Sequence, residues 1–272
     1  MLEMLQLYFS YPFVRYAMVV GVLIALSSSL LGVSLVLKRF SFIGDGLSHV
    51  GFGALAIAAA MNVAPLAVAV PVVVIAAFLL LRLSENAKIK GDAAIALISS
   101  SALAIGVLII SMTHGMNTDV NNYMFGSILS LTEADAVLSA VLSIIVLVLF
   151  IFFYNRIFAV TFDENFARAT GVRTANYNML IALLIAVTVV LGMRMMGALL
   201  ISSLLIFPAL SAMRVCTRFR SVVICAALLS VVCFFLGMTA SYFLETPSGA
   251  SVVAVNILAF ALMSLIGALK RR

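Results

Sequence analysis

The sequence predicts an all-α, polytopic integral membrane protein, and three observations carry that prediction. Apolar residues make up 65% of the 272 positions and charged residues 10%, where an average soluble domain has about 45–50% and about 25%. The apolar residues fall into runs close to the ~20 that a helix needs to cross a bilayer, enough for eight or nine spans. The basic residues collect in short clusters between those runs. A soluble globular protein is excluded, and residues 1–272 read as a single transmembrane domain. The net charge of +6 does not indicate nucleic acid, because the clusters mark membrane topology rather than a binding stripe.

The runs read as spans over 13–37, 43–61, 64–83, 93–112, 133–154, 177–193, 196–213, 221–243 and 250–268. The segment before the first, MLEMLQLYFSYPFVRY, lacks the basic start, apolar stretch and small-residue cleavage site of a removable signal peptide. Lys38 and Arg39 close the first span, and Arg82, Lys88 and Lys90 follow the third. Arg156, Arg168 and Arg173 follow the fifth, Arg214, Arg218 and Arg220 the seventh, and Lys270, Arg271 and Arg272 the ninth. One orientation gathers all of these on one side and leaves only Arg15 and Arg194 on the other. The positive-inside rule then puts the N-terminus outside and the C-terminus in the cytoplasm. The spans 177–193 and 196–213 have almost no loop between them and could be one broken or re-entrant segment, so the count stands at eight or nine.

Two connections carry signals of their own. The outer one, 113–132, is too long for a turn and holds an apolar piece, Tyr123 to Leu131, too short to span; a surface or re-entrant helix is expected there. The inner one, 155–176, predicts a short helix over about 162–170. Thr161 followed by Glu164 fits a capping box, Asp163 and Glu164 suit a first turn, and Gly171 suits the position after the helix end. Phe162, Phe166 and Ala167 give this helix an apolar edge. It reads either as a helix lying on the headgroups or as a docking element for a cytoplasmic partner.

An ionisable residue inside a span costs a few kcal/mol even on lenient insertion scales, so each one is a functional candidate. In FIGDGLSHVGFG, Asp45 and His49 lie four residues apart, on one helix face. Carboxylate oxygen and imidazole nitrogen suit zinc, and imidazole also accepts other first-row metals. Two ligands are too few for a tight site, which is what a transit site requires. The plainer reading is that the pair bond to each other or cap the helix start. Gly44, Gly46, Gly51 and Gly53 let this helix loosen or pack closely against a neighbour.

The remaining features are weaker. His114, near Asn117 and Asp119, could be a metal relay, but a solvated loop histidine is the commoner case. The methionines at 193–196 are packing residues beside Arg194, which would repel a cation. Cys216, Cys225 and Cys233 form no metal-binding or disulfide pattern. Serine clusters at 27–29, 99–101 and 202–203 suit close helix packing or a wetted path. GxxxxGK[ST], HExxH and GxSxG are all absent from the sequence, so ATP hydrolysis would belong to a separate subunit and the enzyme reading loses its support.

Five ordered stretches, LKRFSFIGDGLSHVGFGALAIA (37–58), NNYMFGSILSLT (121–132), DENFARATGV (163–172), GALLISSLLIFPALSA (197–212) and TPSGASVV (246–253), resemble the permease subunits of bacterial zinc and manganese ABC importers, the zinc-uptake permeases most. The resemblance implies a type II ABC importer membrane domain working as a homodimer in the bacterial inner membrane. Two ATPase subunits would sit on its cytoplasmic side, and an extracytoplasmic metal-binding protein would deliver the ion. It implies that Asp45 and His49 coordinate the transported metal, with no permanently bound cofactor. It also implies that DENFARATGV is a coupling helix, with Phe162, Asp163, Glu164, Ala167 and Gly171 in or beside the ATPase groove. Zinc is the expected cargo. Manganese or ferrous iron in the same machine, or an ATPase-independent metal carrier or channel, are the alternatives.

Overall fold

The structure is a computed structural model that describes residues 12–85, 91–113 and 132–270. Eleven helices run through them: α1 Pro12–Leu37, α2 Ile43–Ala60, α3 Pro65–Glu85, α4 Gly91–Met112, α5 Glu133–Phe152, α6 Tyr154–Phe162, α7 Glu164–Ala169, α8 Thr174–Met196, α9 Ala198–Val215, α10 Phe219–Leu244 and α11 Ser248–Lys270. Hydrocarbon offers no partner to a backbone N–H or C=O, so a span must satisfy its own, which a helix does. Among the described residues, nine helices are long and apolar enough to cross a membrane; α6 and α7 are too short.

The question of eight or nine spans turns on Gly197. It sits between α8 and α9 at φ 88°, ψ 160°, a region essentially closed to residues with a Cβ. The chain reverses there: the Ile201 side chain lies against Gly192, nine residues earlier. Each arm is long enough to cross by itself, so the pair is a hairpin of two spans.

Helices α1, α2 and α8 form the middle of the bundle, each buried over most of its most apolar stretch. Around them α1 packs against α5, α8, α9 and α10, and α2 against α3, α4, α8 and α9. The peripheral α4, α5 and α11 keep most of their apolar side chains exposed, Leu108, Ile151 and Leu258 among them, as lipid-facing helices do. The three cysteines are free thiols. His114, Asn117, Asp119, Tyr123 to Leu131, Lys88, Lys90, Arg271 and Arg272 lie outside the described residues.

One local expectation is corrected. The capping box built on Thr161 does not form: Thr161 lies inside α6, buried, with no hydrogen-bond partner for its hydroxyl. The N-cap of α7 is Asp163, whose carboxylate accepts the Phe166 N–H at 2.9 Å. The inner connection is therefore two helices with a sharp break between them, where the sequence predicted one. The C-terminal expectation holds. Gly171 at φ +85° donates to the Arg168 carbonyl at 3.1 Å and Val172 to that of Ala167 at 3.0 Å, the paired bonds of a Schellman motif.

Candidate metal path and coupling site

Asp45 sits in the first turn of α2, where a carboxylate also complements the helix dipole. His49 follows one turn later, with its Nε2 3.7 Å from Asp45 Oδ2. That is too long for a hydrogen bond, so neither group saturates the other. A zinc ion bonded to each at about 2.0–2.2 Å would fit between atoms so spaced. The carboxylate is 52% exposed and the imidazole 27%, so both open onto one face of α2.

From α9, the Ser202 hydroxyl donates to Asp45 Oδ1 at 3.2 Å. Its place in a serine pair was the only signal for it in the sequence, and contact with Asp45 needed the α8–α9 hairpin to form. Among the described residues no group of three or more His, Cys, Asp or Glu gathers to hold a metal. The helix around the pair is unbroken from Ile43 to Ala60, and its glycines serve close packing. A Cβ on Gly44, Gly46, Gly51 or Gly53 would collide with Leu205, Ile95, Met193 or Ala102 respectively.

The residues of the second candidate group divide by direction. Phe162, at the end of α6, and Phe166, on α7, are 71% and 66% exposed, and Asp163 is exposed beside them. Ala167 is buried against the bundle. Glu164 turns inward: Lys38 Nζ lies 3.5 Å from its Oε2 and Asn178 Nδ2 donates to its Oε1 at 3.1 Å, while Lys38 also donates to Asn178 Oδ1. Arg168 approaches Glu164 from the exposed side at 3.5 Å.

Burial pushes the Lys38 ammonium below its ordinary value, and Glu164 opposes that only in part. Burial would raise the Glu164 carboxyl, but Asn178, Lys38 and Arg168 together hold it below its ordinary value. Glu164 is therefore ionised at neutral pH. A second ion pair, Arg194 to Asp135 at 3.4 Å with both side chains largely covered, ties the end of α8 to the start of α5.

Nine membrane-length helices among the described residues, with the polar Asp45, His49 and Ser202 brought together on α2 and α9, define a multi-pass helical membrane protein. Residues 10–267 match the family described as ABC 3 transport family, and the chain belongs to it. It is 30% identical over 246 residues to the high-affinity zinc uptake system membrane protein ZnuB of Haemophilus influenzae, covering 90% of this chain and 94% of that one. It is 28% identical over 253 residues to the manganese transport system membrane protein MntC of Halalkalibacterium halodurans, covering 93% and 87%. The fold is shared with PsaBC from Streptococcus pneumoniae, solved in complex with Fab, at a TM-score of 0.86 and 24% identity, over 96% of this chain and 94% of that one.

Proposed function

We propose that this chain is the membrane-spanning subunit of an ATP-driven importer that carries zinc from the outer face to the cytoplasm by alternating access. Membership of the ABC 3 transport family makes it a metal importer's permease, a transport subunit whose ATP is hydrolysed by a separate ATPase and whose ion comes from a substrate-binding protein. The observation that carries the metal reading is the Asp45–His49 pair, 3.7 Å apart on a partly exposed face of a membrane helix.

A carboxylate facing lipid is too costly to retain. That face of α2 therefore lines a path, covered by a second copy of the chain in a homodimer. Asp45 and His49 take the ion with incomplete coordination and release it readily, while Ser202 orients the Asp45 carboxylate. No permanently bound cofactor is required. The basic clusters support a C-terminus on the cytoplasmic side of a bacterial inner membrane, with Phe162, Asp163 and Phe166 towards the ATPase.

Replacing Asp45 and His49 together by Ala abolishes uptake of radioactive zinc in cells, with the permease–ATPase complex still recoverable from detergent. Normal uptake in that variant sinks the assignment. Manganese is the second reading, favoured by the similarity to the manganese transport system membrane protein of Halalkalibacterium halodurans and by a nitrogen–oxygen ligand pair that does not discriminate among first-row metals. Competition between zinc and manganese in the same uptake assay decides between them.

A further inference from the structure

We propose that Lys38 and Asn178 are positioning residues that tie α7 to the α1–α2 corner carrying Asp45, so that displacement of α7 is delivered to the metal path. The proposal rests on the reading of α7 as the helix that meets the ATPase.

Helix α7 has six residues, too few to be stable alone. A push on it reaches the bundle through the side chains that face inward, Ala167 and Glu164. Ala167 offers one methyl group. Glu164 offers a directed link: Lys38, Asn178 and Glu164 close a three-membered ring of polar contacts. The ring joins the end of α1, the first turn of α7 and the first turns of α8. Charge-assisted hydrogen bonds in a half-buried site are roughly twice as strong as neutral ones and hold a defined geometry.

Lys38 is rigidly connected to Asp45. It caps α1, with its N–H on the Ser34 carbonyl at 3.0 Å. Arg39, at φ 60°, donates to Val36 at 3.2 Å, and Phe40 donates to Leu35 at 3.0 Å, which locks the corner as a Schellman motif. Ile43 N–H then bonds the Phe40 carbonyl at 3.0 Å and Gly46 N–H that of Phe42 at 2.9 Å. The hydrogen-bonded corner thus runs from the polar ring into the turn of α2 that bears Asp45.

Beside the ring lies a cavity of about 130 Å³, lined by Lys38, Glu164 and Asn178 themselves and by apolar side chains such as Leu35, Phe40 and Ile43. The corner is not packed solid against α3 and α8 at that level. It has room to shift while the polar ring stays closed. Asn178 gives a second arm, because α8 carries Met193 against Gly51 of the same metal-bearing helix.

The test uses the whole transporter, permease with its ATPase in proteoliposomes supplied with the substrate-binding protein, and reads the zinc or manganese moved per ATP hydrolysed together with the ATPase retained on purification. Lys38→Met and Asn178→Ala are expected to keep the ATPase bound and hydrolysing, while metal moved per ATP falls about tenfold, the scale of losing one hydrogen bond to a charged group. Lys38→Arg, which keeps charge and donors, restores most of the ratio. If Lys38→Met does not accumulate folded, Asn178→Ala carries the same expectation. An unchanged ratio in the folded variants overturns the proposal. So does a fall matched by loss of bound ATPase, which would make the ring an assembly contact only. Asp163→Lys with Phe166→Asp, on the outward side, separates the two levels: ATPase still bound and coupled there overturns the docking reading itself. ATPase lost there, with an unchanged ratio in Lys38→Met, overturns only the positioning role.

Discussion

At Thr161 the sequence predicts the start of the inner-loop helix, and the structure moves that start two residues on, to Asp163. Both residues are good N-caps, and Glu164 three residues after Thr161 completed a capping-box pattern. The pattern failed because the residues before it, Tyr154 to Phe162, are already helical. Thr161 is thereby interior and its hydroxyl buried. The cap passes to Asp163, whose extended backbone at φ −148° breaks the chain between α6 and α7. The two residues should therefore respond oppositely to substitution. Asp163→Ala is expected to cost about 1 kcal/mol in the local stability of α7, the usual value of an N-cap. Thr161→Val should be neutral or slightly stabilising, because it removes a buried hydroxyl that has no partner. Amide hydrogen exchange at Phe166 and Ala167 reads both; faster exchange in Thr161→Val than in Asp163→Ala would restore the capping box.

Among the elements, the α8–α9 hairpin is where sequence reading stopped short, and the reason is physical. Hydropathy counts apolar length but carries no information on whether a single residue reverses the chain. The reversal depends on Gly197 in a backbone region closed to other residues, and the flanking Met195, Met196 and Ala198 give no polar punctuation. Just before the turn, the end of α8 is tied to the start of α5 by an ion pair between distant segments, Arg194 with Asp135 across 59 positions. Such a partnership leaves no local trace in the sequence. Both side chains are largely covered, 13% and 17% exposed, so removing the carboxylate takes an acidic partner away from a covered guanidinium. Asp135→Ala is expected to lower the thermal stability of the purified permease by about 3 kcal/mol, the lower end for breaking a buried pair. Replacing both partners, Asp135→Leu with Arg194→Met, should recover much of that loss, because two apolar groups leave no charge behind. Equal destabilisation by the single and double variants would show that the pair does not hold the hairpin.

Across the whole molecule, the spans were legible because length and hydropathy alone define them: all nine sequence runs fall on the nine membrane-length helices found among the described residues, with ends shifted by up to a few residues. The Asp45–His49 pair was legible because both partners lie on one helix at a spacing that geometry dictates. Ser202, Lys38 and Asn178 were not, because their contacts join α2 to α9 and α1 to α7 and α8, and only packing creates those meetings. The charge asymmetry predicts an orientation in the membrane, and that orientation makes a prediction that no single helix could. The α7 face bearing Arg168 and the α10–α11 turn bearing Glu245 should lie on opposite sides, since one membrane helix, α8, leads from α7 to the Gly197 reversal and two more, α9 and α10, lead on to Glu245. Both side chains are exposed. In a permease whose native cysteines are replaced, a membrane-impermeant maleimide should label Glu245→Cys in intact cells and Arg168→Cys only after permeabilisation. The reverse pattern would invert the positive-inside assignment and remove α7 from reach of a cytoplasmic ATPase. Labelling of both in intact cells would mean that an even number of spans separates them, contradicting the hairpin at Gly197.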